Sequence, residues 1–202
     1  MMSLTDAKKY IDDLHKRQEN PLLWPDFLTG LPGKSAIIKQ LDKAYPNLGT
    51  YAVAYIRIAN IHPYLIKYGP DRHAEIIQWA AAILKTSCEK CAGCFIATVS
   101  THDFVIICKT KTMSKHLKDV MKTFDRKVET FYTAEDRKSR TILSFIRSGE
   151  KVTIGLIKMI AVVTDSDPGI EKSQLIREMG KACDGLAAGS QNILNLSAFR
   201  KG

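Results

Sequence analysis

Helical segments and strand-like segments alternate along this chain, and that alternation limits the fold more than any other feature of the sequence. Apolar residues recur every three or four positions in the segments 35–44, 71–87, 114–131 and 169–186. Short runs rich in Val, Ile, Phe and Tyr, typical of β-strands, occupy 51–59, 95–99, 104–108, 141–147, 152–163 and 192–196. This order predicts an α/β fold in which a sheet is backed by helices.

Two pairs of strand segments have the spacing of hairpins. The polar tetrapeptide 100–103 (Ser-Thr-His-Asp) separates the second strand from the third, and the turn-type sequence 148–151 separates the fourth from the fifth. Neighbouring strand residues point to opposite faces, so we expect His102 and Asp103 not to act as an acid–base pair. The segment 51–59 is almost wholly apolar, which predicts a strand buried on both faces.

The chain has 202 residues, of which 45% are hydrophobic. That length suffices for one substantial core but not for two domains of ordinary size. Apolar residues form a narrow helical stripe over 3–20. We therefore divide the chain into a connector helix, residues 1–20, and one domain, residues 21–202. The helix either continues a coiled coil from an upstream domain or lies back on its own domain.

Charge, hydropathy and cysteine content narrow the function classes. The net charge is +9, but the basic residues are scattered, so we do not expect nucleic acid as a partner. No apolar run approaches the roughly 20 residues of a membrane span, and the N-terminus lacks a signal-peptide pattern. We expect a soluble, cytoplasmic protein without membrane contact. Five cysteines, an odd number, argue against a disulfide framework and for a reducing compartment.

Cys88, Cys91 and Cys94 follow one another at three-residue intervals, a spacing typical of a metal or redox motif. His102 or Cys108 is a conceivable fourth metal ligand. However, zinc sites usually take two separated pairs of ligands, and here Cys88 would end a helix while Cys94 would begin a strand. We therefore expect the three thiols not to converge, with a metal site or a disulfide as the alternatives.

Several short strings, in the right order, resemble the GGDEF family. Residues 26–32 read D-F-L-T-G-L-P, close to the family's opening D-x-L-T-G-L-P, and Tyr68 and Gly69 stand at its tyrosine–glycine turn. Asp103 and Phe104 keep the last two positions of the signature loop, G-G-D-E-F in the family. The resemblance covers the chain from about residue 26 to its end. It implies a central, mainly antiparallel sheet flanked by helices, with an extra β-hairpin formed by the fourth and fifth strands.

The resemblance also implies which positions would bind metal. Active members hold two magnesium ions with an Asp at the end of the first strand and with the acidic third residue of the loop, because GTP chemistry needs hard oxygen ligands. Those positions are Arg57 and His102 here, and Ala59 replaces a second acidic residue of the strand. Arginine cannot ligate magnesium, and histidine is a poor ligand for it. We therefore expect no metal or cofactor at this site.

The nucleotide contacts that the resemblance implies are altered as well. The guanine-reading Asn and Asp of the family correspond to Leu65 and Ala74, which cannot make those hydrogen bonds. Ser100 and Thr101 replace the glycines over which a phosphate would lie. The family's feedback motif, R-x-x-D, falls on the sequence C-A-G-C at 91–94, so binding of the cyclic product there is not expected.

Arg57 allows two interpretations. With Lys67 or Arg72, it would let the altered cleft hold an anionic nucleotide without magnesium. Alternatively, it pairs with Asp103 or Glu75 and fills the cleft. The second interpretation is favoured, because no base-reading residue accompanies the arginine.

Together these positions predict a catalytically inactive, degenerate GGDEF domain that acts as a regulatory or interaction module of a bacterial signalling protein. Such a module would bind a protein partner or self-associate through the domain and the connector helix, downstream of another signalling domain. The alternative is a receptor domain that binds GTP or cyclic di-GMP without cyclase activity. Retained cyclase activity is the least favoured function.

Overall fold

A computed structural model describes residues 26–145, 149–187, 189 and 191–196. The helices are α1 (Lys34–Ala44), α2 (Ile61–Tyr68), α3 (Pro70–Glu89), α4 (Thr110–Val128), α5 (Ala134–Ser139) and α6 (Lys172–Ala187). The strands are β1 (Tyr51–Ala59), β2 (Phe95–Ser100), β3 (Asp103–Lys109), β4 (Thr141–Phe145), β5 (Lys151–Gly155), β6 (Lys158–Thr164) and β7 (Ile193–Asn195). The connector helix predicted for 1–20 lies outside the described residues.

Five strands form the central sheet in the order β2-β3-β1-β6-β7. β1 lies in the middle and is antiparallel to both β3 and β6, whereas β7 joins in parallel beside β6. This mainly antiparallel, helix-backed sheet confirms the predicted fold class. β4 and β5 pair with each other in a separate two-stranded sheet, which is the predicted extra hairpin.

Apolar side chains cover both faces of the central sheet. One face packs against α2, α3 and α4, and the other packs against α1 and α6. Successive residues of β1 alternate between these two cores, as strand geometry requires. Ala54 and Ile56 face the first core, and Val53 and Tyr55 face the second. β1 is therefore buried on both sides, as its apolar sequence predicts.

The predicted helices 35–44, 71–87, 114–131 and 169–186 correspond to α1, α3, α4 and α6, with ends that differ by a few residues. The largest shift is in α4, which begins at Thr110 and passes into a 3₁₀ turn at Glu129–Phe131. Among the described residues, none of the helices combines the length and the apolar character that crossing a bilayer requires.

The prediction of one strand over 152–163 is wrong, because this segment divides into β5 and β6, which belong to different sheets. Two side chains make hydrogen bonds to the backbone groups at the break between β5 and β6. The Ile157 N–H donates to the Tyr132 hydroxyl at 2.7 Å. The Asn60 side-chain amide donates to the Leu156 carbonyl at 3.1 Å. These two side-chain hydrogen bonds replace the bonds that a continuous strand would make to its neighbour. The apolar composition of the segment does not reveal them, so it predicts one strand where there are two.

Helix α2 has no counterpart among the predicted segments. Its eight residues include Pro63, and Ile61 and Tyr64 are its buried members, too few for a helical period to be visible in the sequence. The extra hairpin packs on this helix through alternate residues of β4, since Ile142 and Ser144 are both buried. The Ser144 hydroxyl donates to the Pro63 carbonyl at 2.8 Å, which ties the hairpin to the residues that follow β1.

Candidate functional site

The residues at the signature-loop positions lie at one end of the central sheet, where β1 runs beside the turn between β2 and β3. Arg57 pairs across the ladder with Asp103, the first residue of β3. The Arg57 Nε–H donates to Asp103 Oδ1 at 2.7 Å. The predicted pairing with Asp103 is thus present. The alternative partner, Glu75, belongs to α3, which packs on the opposite face of the sheet.

Asp103 is buried and uses both of its carboxylate oxygens. Its side chain is 8% exposed, and its Oδ2 accepts a hydrogen bond from the Ser100 hydroxyl at 2.7 Å. The Nε2 atom of His102 lies 4.0 Å from the same oxygen. The two side chains therefore do not point to opposite faces, but 4.0 Å is too long for a hydrogen bond, so the prediction that they do not act as an acid–base pair is not contradicted. His102 lies in the turn and not on a strand, so the alternation of strand side chains does not apply to it.

Two further groups contact the terminal nitrogens of the Arg57 guanidinium, one exposed and one buried. Nη1 donates to the carboxylate of Asp184 on α6, and Nη2 lies 3.4 Å from the Tyr55 hydroxyl oxygen. The side chain of Arg57 is 19% exposed, whereas that of Asp184 is 72% exposed. Sequence reasoning misses Asp184, because it stands 127 residues from Arg57 and no local pattern marks it as an ion-pair partner.

The environment of Arg57 stabilises the protonated form of its guanidinium. Burial disfavours the charged guanidinium, but the hydrogen bond and the attraction from Asp103 outweigh burial, so the pKa of Arg57 lies above its ordinary value. Burial, together with the charge of Asp103, raises the pKa of Tyr55, and its hydroxyl stays protonated at neutral pH. The site therefore consists of a fixed cation that an inner and an outer carboxylate neutralise.

The other positions that the resemblance assigns to a nucleotide lie on α2 and α3. Leu65 and Ala74 are half-buried, and they present only apolar side chains. Lys67 does not join Arg57, because its Nζ contacts both carboxylate oxygens of Asp136, on α5, at 2.7 Å. Lys67 therefore connects α2 to α5 and adds no second cation beside Arg57.

Asp136 is the centre of this second polar cluster. Besides Lys67, the Tyr68 hydroxyl donates to its carboxylate. Burial alone would raise the pKa of Asp136, but the hydrogen bonds from Lys67 and Tyr68 outweigh burial and hold the pKa below its ordinary value. Asp136 is therefore ionised in the folded domain at neutral pH.

The expectation that the cysteine thiols do not converge is wrong. The Sγ atoms of Cys88 and Cys94 lie 2.8 Å apart, and the imidazole of His116 lies against both of them. The Sγ of Cys91 lies 3.6 Å from His116 Nδ1. His102, which the sequence suggested as a fourth ligand, lies at the opposite end of the β2–β3 hairpin from Cys94, roughly 20 Å away along strands of this length.

His116 is a functional candidate that the sequence analysis does not single out. A usable signal exists, because His116 falls on the apolar stripe of α4, between Met113 and Val120 at helical spacing. A histidine on that stripe is expected to be buried, and this one is 5% exposed. Its polar ring atoms then need buried partners, which the cysteines and Ser87 provide.

A cavity of about 650 Å³ lies away from the signature loop, between the end of α4 and the β5–β6 connection. This volume is within the range of small-molecule pockets. Glu129 and Arg140 pair at its rim at 2.7 Å, and Lys158 donates to the Gly189 carbonyl at 2.6 Å. Among the described residues, its lining includes none of the positions 100–104.

No family model and no curated protein sequence matches the chain, whereas solved structures do. The coiled coil and GGDEF domain of DgcB from Caulobacter crescentus, in complex with c-di-GMP, has a TM-score of 0.63 at 18% identity, over 95% of this chain and 96% of that one. Diguanylate cyclase SiaD from Pseudomonas aeruginosa, in complex with its activator SiaC, has a TM-score of 0.60 at 15% identity, over 94% and 67%.

The S helix-GGDEF-EAL portion of LapD from Vibrio cholerae, bound to c-di-GMP, has a TM-score of 0.59 at 14% identity, over 94% of this chain and 40% of that one. At such low identities the likeness concerns the fold. The chain has the fold of GGDEF domains, as the short sequence strings imply.

Removing the charge of Asp103 should destabilise the domain more than removing the charge of Asp184. Asp103→Asn should lower the free energy of unfolding by about 1 to 3 kcal/mol, because Arg57 loses the buried half of its pairing. Asp184→Asn removes an exposed partner and should cost less than about 1 kcal/mol. Urea denaturation at neutral pH measures both, and a larger loss from Asp184→Asn would contradict this assignment.

The stabilisation from Asp136 should depend on pH. Because its pKa is lowered on folding, its contribution is complete above the ordinary Asp pKa of about 3.9 and is lost as the pH falls through the folded value. The difference in free energy of unfolding between wild type and Asp136→Asn should therefore be larger near pH 6 than near pH 3. Asp42→Asn, which removes the exposed partner of Lys172, is the control. A difference that stays constant with pH for Asp136→Asn would refute the linkage.

Proposed function

We propose that this chain is a catalytically inactive, degenerate GGDEF domain that serves as a regulatory or interaction module of a bacterial signalling protein. The observation that carries the proposal is the place of Arg57. The resemblance assigns a metal-binding Asp to this position, and here the position holds a guanidinium that is paired with Asp103 and Asp184.

Electrostatics supports the loss of metal binding. A magnesium ion at the family's position would lie beside a permanent positive charge, and like charges a few ångströms apart in a partly buried site repel strongly. Asp103, the acidic residue at the signature-loop positions, already accepts hydrogen bonds on both oxygens from Arg57 and Ser100. The carboxylate is thus occupied by the protein's own cation, and His102 supplies no hard oxygen ligand in its place.

The nucleotide-reading positions support the same function. Leu65 and Ala74 offer no hydrogen bonds to discriminate guanine. Ser100 turns its hydroxyl to Asp103, so that the loop is bonded to itself where glycines would leave the backbone open. A domain changed in this way keeps its fold, because the replacements satisfy one another inside the old site.

The solved structures suggest what an inactive domain of this fold would do. SiaD is described in complex with an activator protein, and the LapD structure carries a helix and an EAL portion together with its GGDEF portion. By analogy, we propose that this domain binds a protein partner or a second copy of itself in the cytoplasm. The predicted connector helix, residues 1–20, would join it to an upstream signalling domain.

A cyclase assay tests the absence of activity. The purified chain, incubated with GTP and magnesium, should form no cyclic di-GMP above an enzyme-free control, as measured by chromatography and mass spectrometry. An active cyclase in the same buffer shows that the assay detects product. Product formation by the wild-type chain would contradict the proposal.

The second candidate function is a nucleotide receptor, and the partly exposed cation at Arg57 is the observation that favours it. A ligand that binds only the folded state raises the melting temperature in a saturable way. Under the leading proposal, GTP and cyclic di-GMP should produce no such shift, with or without magnesium. A saturable, magnesium-independent shift that Arg57→Gln abolishes, and that the exposed control Arg126→Gln on α4 retains, would instead establish the receptor.

A further inference from the structure

Three segments bring two thiols and one imidazole together at the C-terminal end of α3. Cys88 lies in the last turn of α3, Cys94 immediately precedes β2, and His116 lies in the second turn of α4. The ligand atoms of these three residues all lie within 4.8 Å of one another. Cys88 Sγ is 3.6 Å from His116 Nε2 and 2.8 Å from Cys94 Sγ. Cys88 and His116 are buried, and Cys94 is partly exposed.

A neighbouring hydroxyl orients the histidine for metal binding. The Ser87 Oγ lies 3.2 Å from His116 Nδ1, on the far side of the ring from Cys88. When Nδ1–H donates to this hydroxyl, the lone pair of Nε2 points toward the thiols. Metal-bound histidines characteristically hold their second ring nitrogen in this way, because the bond fixes the tautomer and the ring plane.

A fourth ligand is available from β3. Cys108 is a buried thiol on β3 that interacts with Cys94. Its Sγ lies outside the group of Cys88, Cys94 and His116. It contacts the Lys109 carbonyl and the Thr112 hydroxyl, so the Cys108 side chain must rotate to become the fourth ligand. Cys91 is less suited to this role, because its Sγ faces Nδ1, the nitrogen that Ser87 occupies. Three thiols and one imidazole make a Cys₃His set, which is a common donor set of structural zinc sites.

The distances can be compared with a tetrahedral zinc site. Bonds of about 2.3 Å to sulfur and about 2.0 Å to nitrogen place an S and an N ligand about 3.5 Å apart and two S ligands about 3.8 Å apart. The observed separation of Cys88 Sγ and His116 Nε2, 3.6 Å, agrees with the distance expected between a sulfur and a nitrogen ligand of one zinc ion. The two sulfurs at 2.8 Å must open by roughly 1 Å. A rotation of the Cys94 side chain can supply that movement, because Cys94 is partly exposed and lies outside the strand.

We propose that Cys88, Cys94, Cys108 and His116 bind one Zn²⁺ ion in a closed, structural site. On binding, each thiol gives up its proton to the solvent and becomes a thiolate ligand, while the imidazole binds as the neutral ring. The ion joins the end of α3 to the base of the β2–β3 hairpin and to α4. This site is independent of the inactive nucleotide cleft, which lies at the other end of the hairpin.

A disulfide between Cys88 and Cys94 is the competing explanation of their proximity. It would use two of the four soft groups and would give no role to Nε2 of His116, which lies 3.6 Å from Cys88 Sγ while the Ser87 hydroxyl lies beside Nδ1. Zinc uses all four groups and the orienting hydroxyl. The two explanations also differ in the chemistry that they require. A disulfide forms only with an oxidant that accepts two electrons, whereas zinc binding needs no oxidant.

Metal analysis of the chain tests the site directly. The protein, purified under reducing conditions and supplied with Zn²⁺, should retain one equivalent after gel filtration, as measured by mass spectrometry of the metal. Replacement by Co²⁺ should give the intense visible absorption of tetrahedral cobalt together with a thiolate-to-cobalt band. A chelator strong enough to remove the ion should lower the melting temperature of the wild-type chain, a readout that needs no substitution.

Substitutions assign the ligands. Cys94→Ser and His116→Ala should each abolish stoichiometric zinc, and Cys108→Ser should remove one thiolate from the cobalt spectrum. Ser87→Ala, which keeps all four ligands, should weaken zinc about tenfold in competition with a chromophoric chelator. Cys183→Ser is the control: Cys183 is a buried cysteine of α6 on the opposite face of the sheet, and its loss should leave zinc binding unchanged.

Two results would overturn the proposal. The first is a reduced, folded wild-type chain that retains no zinc and shows no tetrahedral cobalt spectrum. The second is a Cys88–Cys94 disulfide, mapped by mass spectrometry without reductant, in a protein whose melting temperature responds to reductant but not to a chelator. Stoichiometric zinc that is unaffected by Cys108→Ser but lost in Cys91→Ser would overturn the assignment of the fourth ligand.

Discussion

β1 is covered by apolar side chains on both faces, and Arg57 is the one charged residue in its sequence. A charge at such a position needs a partner that the strand itself cannot supply, and Asp103 provides it from the opposite position of β3. Sliding β1 by one residue along β3 would turn Arg57 into the other core, so the ion pair and the register specify each other. Asp184 extends the same contact to α6, and the hairpin, the central strand and the last helix thus meet at one guanidinium.

The sequence predicts those parts of the fold whose residues carry their own periodicity. The segment 51–59 matches β1 at both ends, because nine nearly uninterrupted apolar residues have few other stable environments. The break between β5 and β6 is invisible locally, since it depends on the Tyr132 hydroxyl and the Asn60 amide, which arrive from distant parts of the chain. Contacts made by one side chain across the fold leave no pattern of their own in the sequence.

The same distinction applies to the site. The sequence leaves Asp103 and Glu75 as alternative partners of Arg57, and the register of β1 against β3 decides for Asp103. Asp184 and His116 do not belong to any motif, and their roles appear only once α6 and α4 are in place. The β2–β3 hairpin then has two chemically different ends. At its turn, Arg57 and Asp103 form an ion pair that Asp184 extends to α6, while at its base the thiols of Cys88 and Cys94 lie against the imidazole of His116 on α4.

The position of β1 also bears on how the chain reaches this fold. β2 and β3 are neighbours in sequence, whereas β1 and β6, which pair side by side, are separated by roughly a hundred residues. Closing so long a loop costs entropy before any contact repays it, and folding slows as such distant pairings come to dominate. We therefore expect the local hairpin to form early and the far side of β1 to close late. Until β6 pairs with β1, one edge of β1 has unpaired backbone groups, and a chaperone or a neighbouring chain can bind there.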